Sequence, residues 1–371
     1  MTANQAAWLT GKKVKPLEVR PAPYTPPGEN EIVVRNRAVA INPVDWFKQE
    51  VGDFLYEWVK YPMILGNDVA GEVFEVGPGD SAARFKVGDR VLGHAVGLDK
   101  RSNKTSEGAF QDYVVLRADL ASPVPDFISF EQACVVPLGA STAASGLFAK
   151  DYLNLQRPRV DAKPNGETLL VWGGSTSVGC NAIQLAVCAG YEVIATASPH
   201  NFEYLKTLGV KEVFDYRSPT VVQDITRSFQ GQTSAGAFAI GANSLVPCVN
   251  IVAASKGRKF VAQASVAGPG KPPTSLVGLA SLIWAMTSES VTVTLKGKLS
   301  GVRTKFIWGS DLMANEIGAA IYRDFLPDAL AQGKFVPAPN TEVVGHGLGS
   351  IQKAFGISYN GVSAKKLVIS L

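Results

Sequence analysis

Glu167-Thr-Leu-Leu-Val-Trp-Gly-Gly-Ser-Thr-Ser-Val-Gly179 changes character halfway along. Its first half is an almost unbroken apolar run, the pattern of a parallel strand buried on both faces. Its second half is glycine and hydroxyl, and from there Val178, Ala182, Leu185, Ala186 and Ala189 recur at helical spacing. The stretch reads as strand, tight turn, helix. Glycines let the backbone turn sharply and approach a ligand closely. The first turn of the helix offers unpaired N–H groups and the positive end of its dipole. A pyrophosphate binds at such a turn in dinucleotide folds. Gly173, Gly174, Ser175, Thr176, Ser177 and Val178 are therefore the candidate phosphate-binding residues.

Downstream the alternation continues. Residues 191–197 and 211–216 read as strands, and 201–208 and 221–229 as helices. Residues 235–240, 244–254 and 259–264 follow as strand, helix and strand. Repeated βαβ units predict an α/β fold with a doubly wound parallel sheet and right-handed crossovers. The end of the second strand selects the nucleotide, because an acid there would bind ribose hydroxyls and repel a 2′-phosphate. Here it runs out as Thr196-Ala-Ser-Pro-His-Asn201, with no acid before Glu203. Ser198, His200 and Asn201 can donate to phosphate, and Tyr216 and Arg217 end the third strand on the same edge. NADPH is the expected cofactor. Ser198-Pro199 reads equally as a helix-start turn, and the two roles are compatible.

Upstream, residues 1–130 read as β-rich. Residues 31–40 form a strand ending at Asn42-Pro43, and 71–77 alternate up to the turn Pro78-Gly79-Asp80. Residues 87–93 and 109–116 are further short strands, as in a small barrel or sandwich. Residues 130–137 and 141–150 look helical. Residues 365–371 are a strand left over after the alternating unit, expected to return to the first domain.

A chain of 371 residues sets two domains as the prior, and 46% hydrophobic with 18% charged residues is globular composition. The net charge of +4, from 36 basic and 32 acidic residues spread without a long block, argues against a nucleic-acid partner. Cys134, Cys180, Cys188 and Cys248 form no CxxC pair and read as reduced, buried thiols of a cytoplasmic protein. The N-terminus lacks the basic-then-apolar pattern of a secretory leader. The longest apolar stretch, 276–286, is interrupted by Gly278 and Ser281 and is too short to span a bilayer, so no membrane role is expected.

Asn42-Pro-Val-Asp45, Gly66-Asn-Asp-Val-Ala-Gly71, Val87-Gly-Asp-Arg-Val91, Gly108-Ala-Phe-Gln-Asp-Tyr113, Leu138-Gly-Ala-Ser-Thr142 and the loop at 173–179 occur in one order. In that order, and in Lys365-Lys-Leu-Val368, the chain resembles medium-chain dehydrogenases/reductases over nearly its whole length. It is similar to the quinone-reductase and enoyl-reductase branch and to fungal zinc-binding alcohol dehydrogenase domain-containing proteins. Ser198-Pro-His-Asn-Phe202 and Phe214-Asp-Tyr-Arg217 resemble trans-acting enoyl reductases of fungal polyketide pathways. The resemblance implies a GroES-like catalytic domain from residues 1–137 and 311–371, and a Rossmann NADP-binding domain from 138–310. It implies an active site in the cleft between them. It also implies that Val261, Ala262, Ala364 and Lys365 lie by the cofactor, Lys365 reading equally as a solvated strand-end charge. Trp46 and Phe47 read either as walls of the nicotinamide pocket or as core.

Zinc-dependent relatives hold the metal with a Cys, a Gly-His-Glu element and a second Cys. Here Gly66-Asn67-Asp68 replaces the His-Glu element, the first Cys position falls near Ile41-Asn42 and the second near Leu138. Only Asp68 could still ligate zinc. The four-Cys lobe of those relatives is absent from 97–107. No metal is expected.

Without a Lewis acid a simple ketone is hard to polarise. An enone, enal, enoyl thioester or quinone accepts hydride at carbon with less help, so the expected function is NADPH-dependent, zinc-free reduction of an activated C=C bond. Asn42 and Asp45 either shape the cleft or form an Asx turn around Pro43. Phe47 stands where relatives often carry a Tyr or Lys donor, and Phe47 cannot donate. Lys48 is the adjacent candidate, though a helix should aim it elsewhere. By resemblance Thr142 lies near the substrate carbonyl; alternatively its hydroxyl bonds backbone at a helix start. Two other readings stand: a trans-acting enoyl reductase partnering a polyketide synthase, and an NADPH-binding protein without turnover. Residues 268–300, low in charge, could line a substrate pocket or form an oligomer edge through Val291-Thr-Val-Thr-Leu295, which leaves monomer or homodimer open.

Overall fold

The computed structural model describes residues 2–53, 56–265 and 276–371, with the backbone alone for residues 276 and 279. The chain forms two compact units, Met1–Ser141 with Ser310–Leu371, and Thr142–Gly309. The first begins with β1 (Asn4–Leu9), β2 (Glu18–Ala22), β3 (Glu31–Ala40), α1 (Pro43–Val51), β4 (Met63–Ile64), β5 (Asp68–Val76), β6 (Arg90–His94), β7 (Tyr113–Arg117), β8 (Ala121–Pro123) and α2 (Phe130–Ala133). The helix α3 (Pro137–Phe148) carries the chain into the second unit. There follow β9 (Glu167–Trp172), α4 (Ser177–Val187), β10 (Glu192–Ala197), α5 (Phe202–Thr207), β11 (Glu212–Asp215) and α6 (Val221–Ser228). β12 (Thr233–Ala239), α7 (Leu245–Ala254), β13 (Phe260–Gln263), α8 (Leu276–Ser300) and β14 (Arg303–Phe306) complete it. The return adds α9 (Ile317–Tyr322), α10 (Leu326–Ala331), β15 (Asn340–His346), α11 (Ile351–Asn360) and β16 (Lys365–Ser370).

In the second unit six parallel strands lie in the order β11-β10-β9-β12-β13-β14. The chain steps outward from β9 to β11, then crosses to β12 on the other side of β9. The order reverses at β9/β12, and an open α/β sheet binds ligands outside the carboxyl ends of its strands at that point. Leu169, Leu170 and Val171 are fully buried, as strands covered on both faces require.

In the first unit the main sheet runs β15-β16-β3-β5-β6-β8, with β7 also paired to β3; a second sheet is β2-β1-β4. β16 pairs antiparallel with β3, Val368 opposite Ala40 and Ser370 opposite Ala38. The last strand is thus central in a sheet begun more than 300 residues earlier.

Several boundaries differ from expectation. Helix α2 stops at Ala133, and α3 begins at Pro137 rather than 141, because proline suits the first helical position. Of the 109–116 segment only 113–116 is strand, in β7, which runs one residue further to Arg117. Residues 291–295 lie within the helix α8, so no strand edge forms there; Val293 is buried while Val291 and Leu295 are exposed. The expectation for 268–273 falls outside the described residues. All four cysteines are buried, and none is assigned to a disulfide among the described residues. Among the described residues no helix is long and apolar enough to cross a membrane.

Candidate functional site

At the switch point the glycine turn is fixed by close backbone contacts. Gly173 has φ +85, and a Cβ there would lie 2.6 Å from the Ile240 carbonyl oxygen at the end of β12. A Cβ on Gly179 would lie 2.3 Å from the Gly173 oxygen. Only glycine lets these segments approach. Thr176 caps α4: its hydroxyl accepts from the Gly179 N–H at 3.0 Å and donates to the Gly173 oxygen at 2.8 Å. The Gly174 N–H is held by the Thr196 carbonyl at 2.8 Å. Ser175, Ser177 and Val178 are half-buried and Thr176 exposed, so the first turn of the helix is accessible. Beside Gly241, past the end of β12, the space is open. These first-turn N–H groups lie at the positive end of an 11-residue helix, a place where an anion is favoured.

The neighbouring strand ends supply the rest of this edge. β10 and β11 are parallel with Ala197 opposite Asp215, which brings Ser198 and Tyr216 to one level. Ser198 is half-buried, His200 and Tyr216 are exposed and Asn201 is buried. Ser198 precedes a short turn at Pro199–Asn201, closed by the Asn201 N–H donating to the Ser198 oxygen at 2.9 Å, so the helix-start reading holds here. An acid overlooked in the sequence stands at this edge: Asp215. Arg217 neutralises it, its Nε 3.1 Å from Asp215 Oδ1, and the guanidinium also lies over Tyr216. The Arg217 backbone N–H, 3.1 Å from Asp215 Oδ1, and then this side-chain pairing hold the Asp215 carboxyl below its ordinary range.

In the first unit a second polar cluster is fully enclosed. Register explains it. Val368, Ala40, Asp68 and His94 form one row across β16, β3, β5 and β6. Row partners share a sheet face, and Lys366, two residues before Val368, shares it too. Asp68 is wholly buried and Lys366 is 4% exposed, with Nζ 2.9 Å from Asp68 Oδ2. Asn42 joins them: its Nδ2 donates to Asp68 Oδ2 at 2.8 Å, and its Oδ1 accepts from Lys366 Nζ. The other Asp68 oxygen accepts the Leu138 N–H at 2.6 Å. Tyr322 secures this start of α3, donating to the Pro137 oxygen at 2.8 Å.

Asp45 lies beside this group, fully buried. It accepts from Asn67 Nδ2 and from the Asn42 N–H, each at 2.8 Å, as the capping box of α1. Burial pushes its pKa up to about 7; the Asn42 N–H opposes that and Asp68 adds to it. His94 is fully buried, and among the described residues neither ring nitrogen has a hydrogen-bond partner. Burial drives it down to about 4 against the pull of Asp68 and Asp99. The Cys134 thiol is pushed well above its ordinary value by burial, with Asp68 adding to the shift. Among the described residues no three His, Cys, Asp or Glu gather as a metal-binding set.

Other expected site residues are placed differently. Lys48, expected as an acid candidate, is buried in its own helix end. Its Nζ donates to the Gly52 oxygen at 2.9 Å and to Asp53 at 3.2 Å, and lies over the Tyr61 ring. Trp46 is buried, with Nε1 donating to Ser358 Oγ at 3.0 Å and edge contacts to Phe47 and Tyr359, which favours its core reading; Phe47 is half-buried. Val261 and Ala262 have no exposed surface in mid-strand, so their side chains belong to the core rather than to a cofactor surface. Lys365 is exposed and paired with Glu342 at 2.8 Å, its solvated reading; the residue that sequence reasoning missed is the next one, Lys366. Ala364 is half-buried with φ +50, and Thr142 is half-buried within α3, opening the second unit.

A parallel sheet with a glycine turn at its switch point and a β-rich unit that includes the chain's last strand are the two parts of this fold. Residues 28–126 match the alcohol dehydrogenase GroES-like domain. The dehydrogenase pigH of Monascus ruber is 54% identical over 100% of both chains. The zinc-binding alcohol dehydrogenase domain-containing protein cipB of Emericella nidulans is 44% identical, over 99% of this chain and 98% of that one. The trans-enoyl reductase himH of Aspergillus japonicus is 35% identical, over 99% and 97%. An alcohol dehydrogenase superfamily protein of Novosphingobium aromaticivorans superposes with a TM-score of 0.72 at 25% identity, over 100% of both. The chain belongs to the medium-chain dehydrogenase/reductase family.

Proposed function

We propose that this protein is an NADPH-dependent, zinc-independent reductase of an activated carbon–carbon double bond in an enone, enal, enoyl thioester or quinone. The observation that carries the coenzyme choice is the edge beside the glycine turn. β10 ends without a carboxylate, and the acid at the next strand end, Asp215, is neutralised by Arg217. A 2′-phosphate meets hydroxyl, amide, imidazole and guanidinium groups there and no free negative charge. The N–H groups at 174–178 would hold the pyrophosphate, with Ser198, His200, Asn201 and Tyr216 around the adenosine phosphate. A bound nicotinamide supplies the hydride.

The donor set around Asp68 provides for no Lewis acid, and a conjugated acceptor needs none. Thr142 is assigned to steady the developing enolate oxygen, and solvent to deliver the closing proton. The test is NADPH oxidation with a panel of enals, enones, quinones and acyl thioesters. The expected outcome is turnover of at least one acceptor, with kcat/KM for NADPH at least about tenfold above NADH, the effect of roughly 1.4 kcal/mol of phosphate recognition. Comparable rates with NADH would end the coenzyme assignment. Tight NADPH binding with no acceptor turned over would favour a binding protein. The 35% identity to a trans-enoyl reductase along almost the whole chain supports one narrower reading: a trans-acting enoyl reductase partnering a polyketide synthase. It is distinguished by a carrier-bound enoyl thioester outcompeting the free thioester.

A further inference from the structure

Asn67, at the histidine position of the zinc-dependent relatives, bonds Asp45, whereas Asn42 and Asp68, at or near other ligand positions of those relatives, meet in this structure on one atom that is not a metal. That atom is Lys366 Nζ. It touches Asp68 Oδ2 at 2.9 Å and the Asn42 side-chain oxygen, while Asp68 also accepts from the Leu138 N–H and from Asn42 Nδ2. The donor set does not fit zinc. It offers one carboxylate, neutral amides and a leucine, whereas a catalytic zinc takes three ligands from thiolate, imidazole and carboxylate. The other ligand-type groups do not complete a set: burial pushes the Cys134 thiol well above its ordinary value and its Sγ donates to the Glu131 oxygen at 3.4 Å, and among the described residues no three His, Cys, Asp or Glu gather as a metal-binding set, His94 included. A dication would have to displace an ammonium already neutralising the one carboxylate.

An enclosed anion requires a cation with hydrogen-bond donors. The register row brings Lys366 to that place, and the chain's own terminus delivers it. We propose that the Lys366 ammonium is the resident cation of this site, standing in for the metal of zinc-dependent relatives, and that Lys366→Ala turns the vacated pocket into a binding site for a primary alkylammonium ion. The chemistry is specific. The Lys366 pocket presents the Asp68 carboxylate and the Asn42 amide oxygen as acceptors at one end and the width of an aliphatic stem behind them. The fragment removed by Lys366→Ala is n-propylammonium. This inference rests on the donor set alone, and its readout is stability and metal content, so it stands or falls separately from the reductase reading.

The experiment uses the full-length protein. Lys366→Ala is expected to lower Tm by about 5–10 °C, the scale for leaving a buried carboxylate uncompensated. n-Propylammonium chloride at about 10–100 mM should restore most of that loss saturably, as a ligand of the folded state does. n-Propanol, sodium chloride and zinc chloride should not. Because the alanine variant can fail to fold, Asp68→Asn/Lys366→Met is measured alongside. The neutral pair should be more stable than either Asp68→Asn or Lys366→Met alone, since each single change leaves one member of the pair unpaired. Wild-type protein dialysed against zinc should retain well under one equivalent. Four results overturn the proposal: stoichiometric zinc in wild type, zinc restoring Lys366→Ala, propanol matching propylammonium, or additive effects in the Asp68/Lys366 cycle.

Discussion

Asp45 and His94 are buried within the same unit, and their titrations oppose each other. Asp45 faces Asn42, Asn67, Asp68 and Lys366, with Tyr56 also within its field; His94 faces Asp68 and Asp99. The pKa of Asp45 rises from 3.8 to about 7 on folding, so the folded state holds an extra proton between those values, and stability contributed below pH 3.8 is lost as pH climbs to 7. The pKa of His94 falls from 6.5 to about 4, so its contribution is present above 6.5 and lost as pH drops through 4. Each swing is on the order of 3–4 kcal/mol. Relative to wild type, Asp45→Asn should therefore gain stability as pH rises from 4 to 7. His94→Gln should lose it over 4 to 6.5. Urea titrations across that window read both slopes, and parallel curves for the two variants would refute the assignment. At Thr142 the expectation concerns rate: Thr142→Val should lower kcat/KM on the true acceptor by on the order of 10²-fold, the scale of one lost oxyanion donor. An unchanged kcat/KM would remove Thr142 from the chemistry.

At the scale of elements, α4 and its turn were readable because most of their determinants are local, the Ile240 and Thr196 carbonyls being the distant ones. Gly173, Thr176 and Gly179 act within seven residues, and the strand before them and the helix after them follow from apolar period. Thr176→Ala should cost about 1 kcal/mol through the lost cap. Gly179→Ala should cost more and raise the NADPH Kd as well, since the added methyl meets the Gly173 oxygen at 2.3 Å. Thermal melts and fluorescence titration separate the two, and a Gly179→Ala protein binding NADPH normally would contradict the proposed phosphate-binding role. β3 was equally legible, residues 31–40 becoming Glu31–Ala40. β2 was not: Glu18-Val-Arg-Pro-Ala22 is almost wholly exposed and holds a proline, so no alternation marks it, and only pairing with β1 makes it a strand. The helix α8 was also missed, its apolar residues suggesting an edge or a pocket wall rather than 25 helical residues.

At the scale of the molecule, the placement of β16 has a direct consequence. This strand pairs with β15 and β3 and carries Lys366 into the enclosed cluster. Removing residues 365–371 should leave β3 short of a neighbour and Asp68 without its cation, so the truncated chain should fail to give a protease-resistant first unit. Limited proteolysis tests this, and a resistant fragment covering 1–141 would show that the terminus is dispensable. The amino-acid order by itself determined the strand–turn–helix at 167–179 and the parallel βαβ series, because turn chemistry and hydrophobic period act over a few positions. Only the tertiary structure decided that Lys366 and not Lys365 is buried. Two adjacent lysines look alike in a sequence. The pairing register of a strand, set by partners hundreds of residues away, sends one into solvent and the other onto a buried carboxylate.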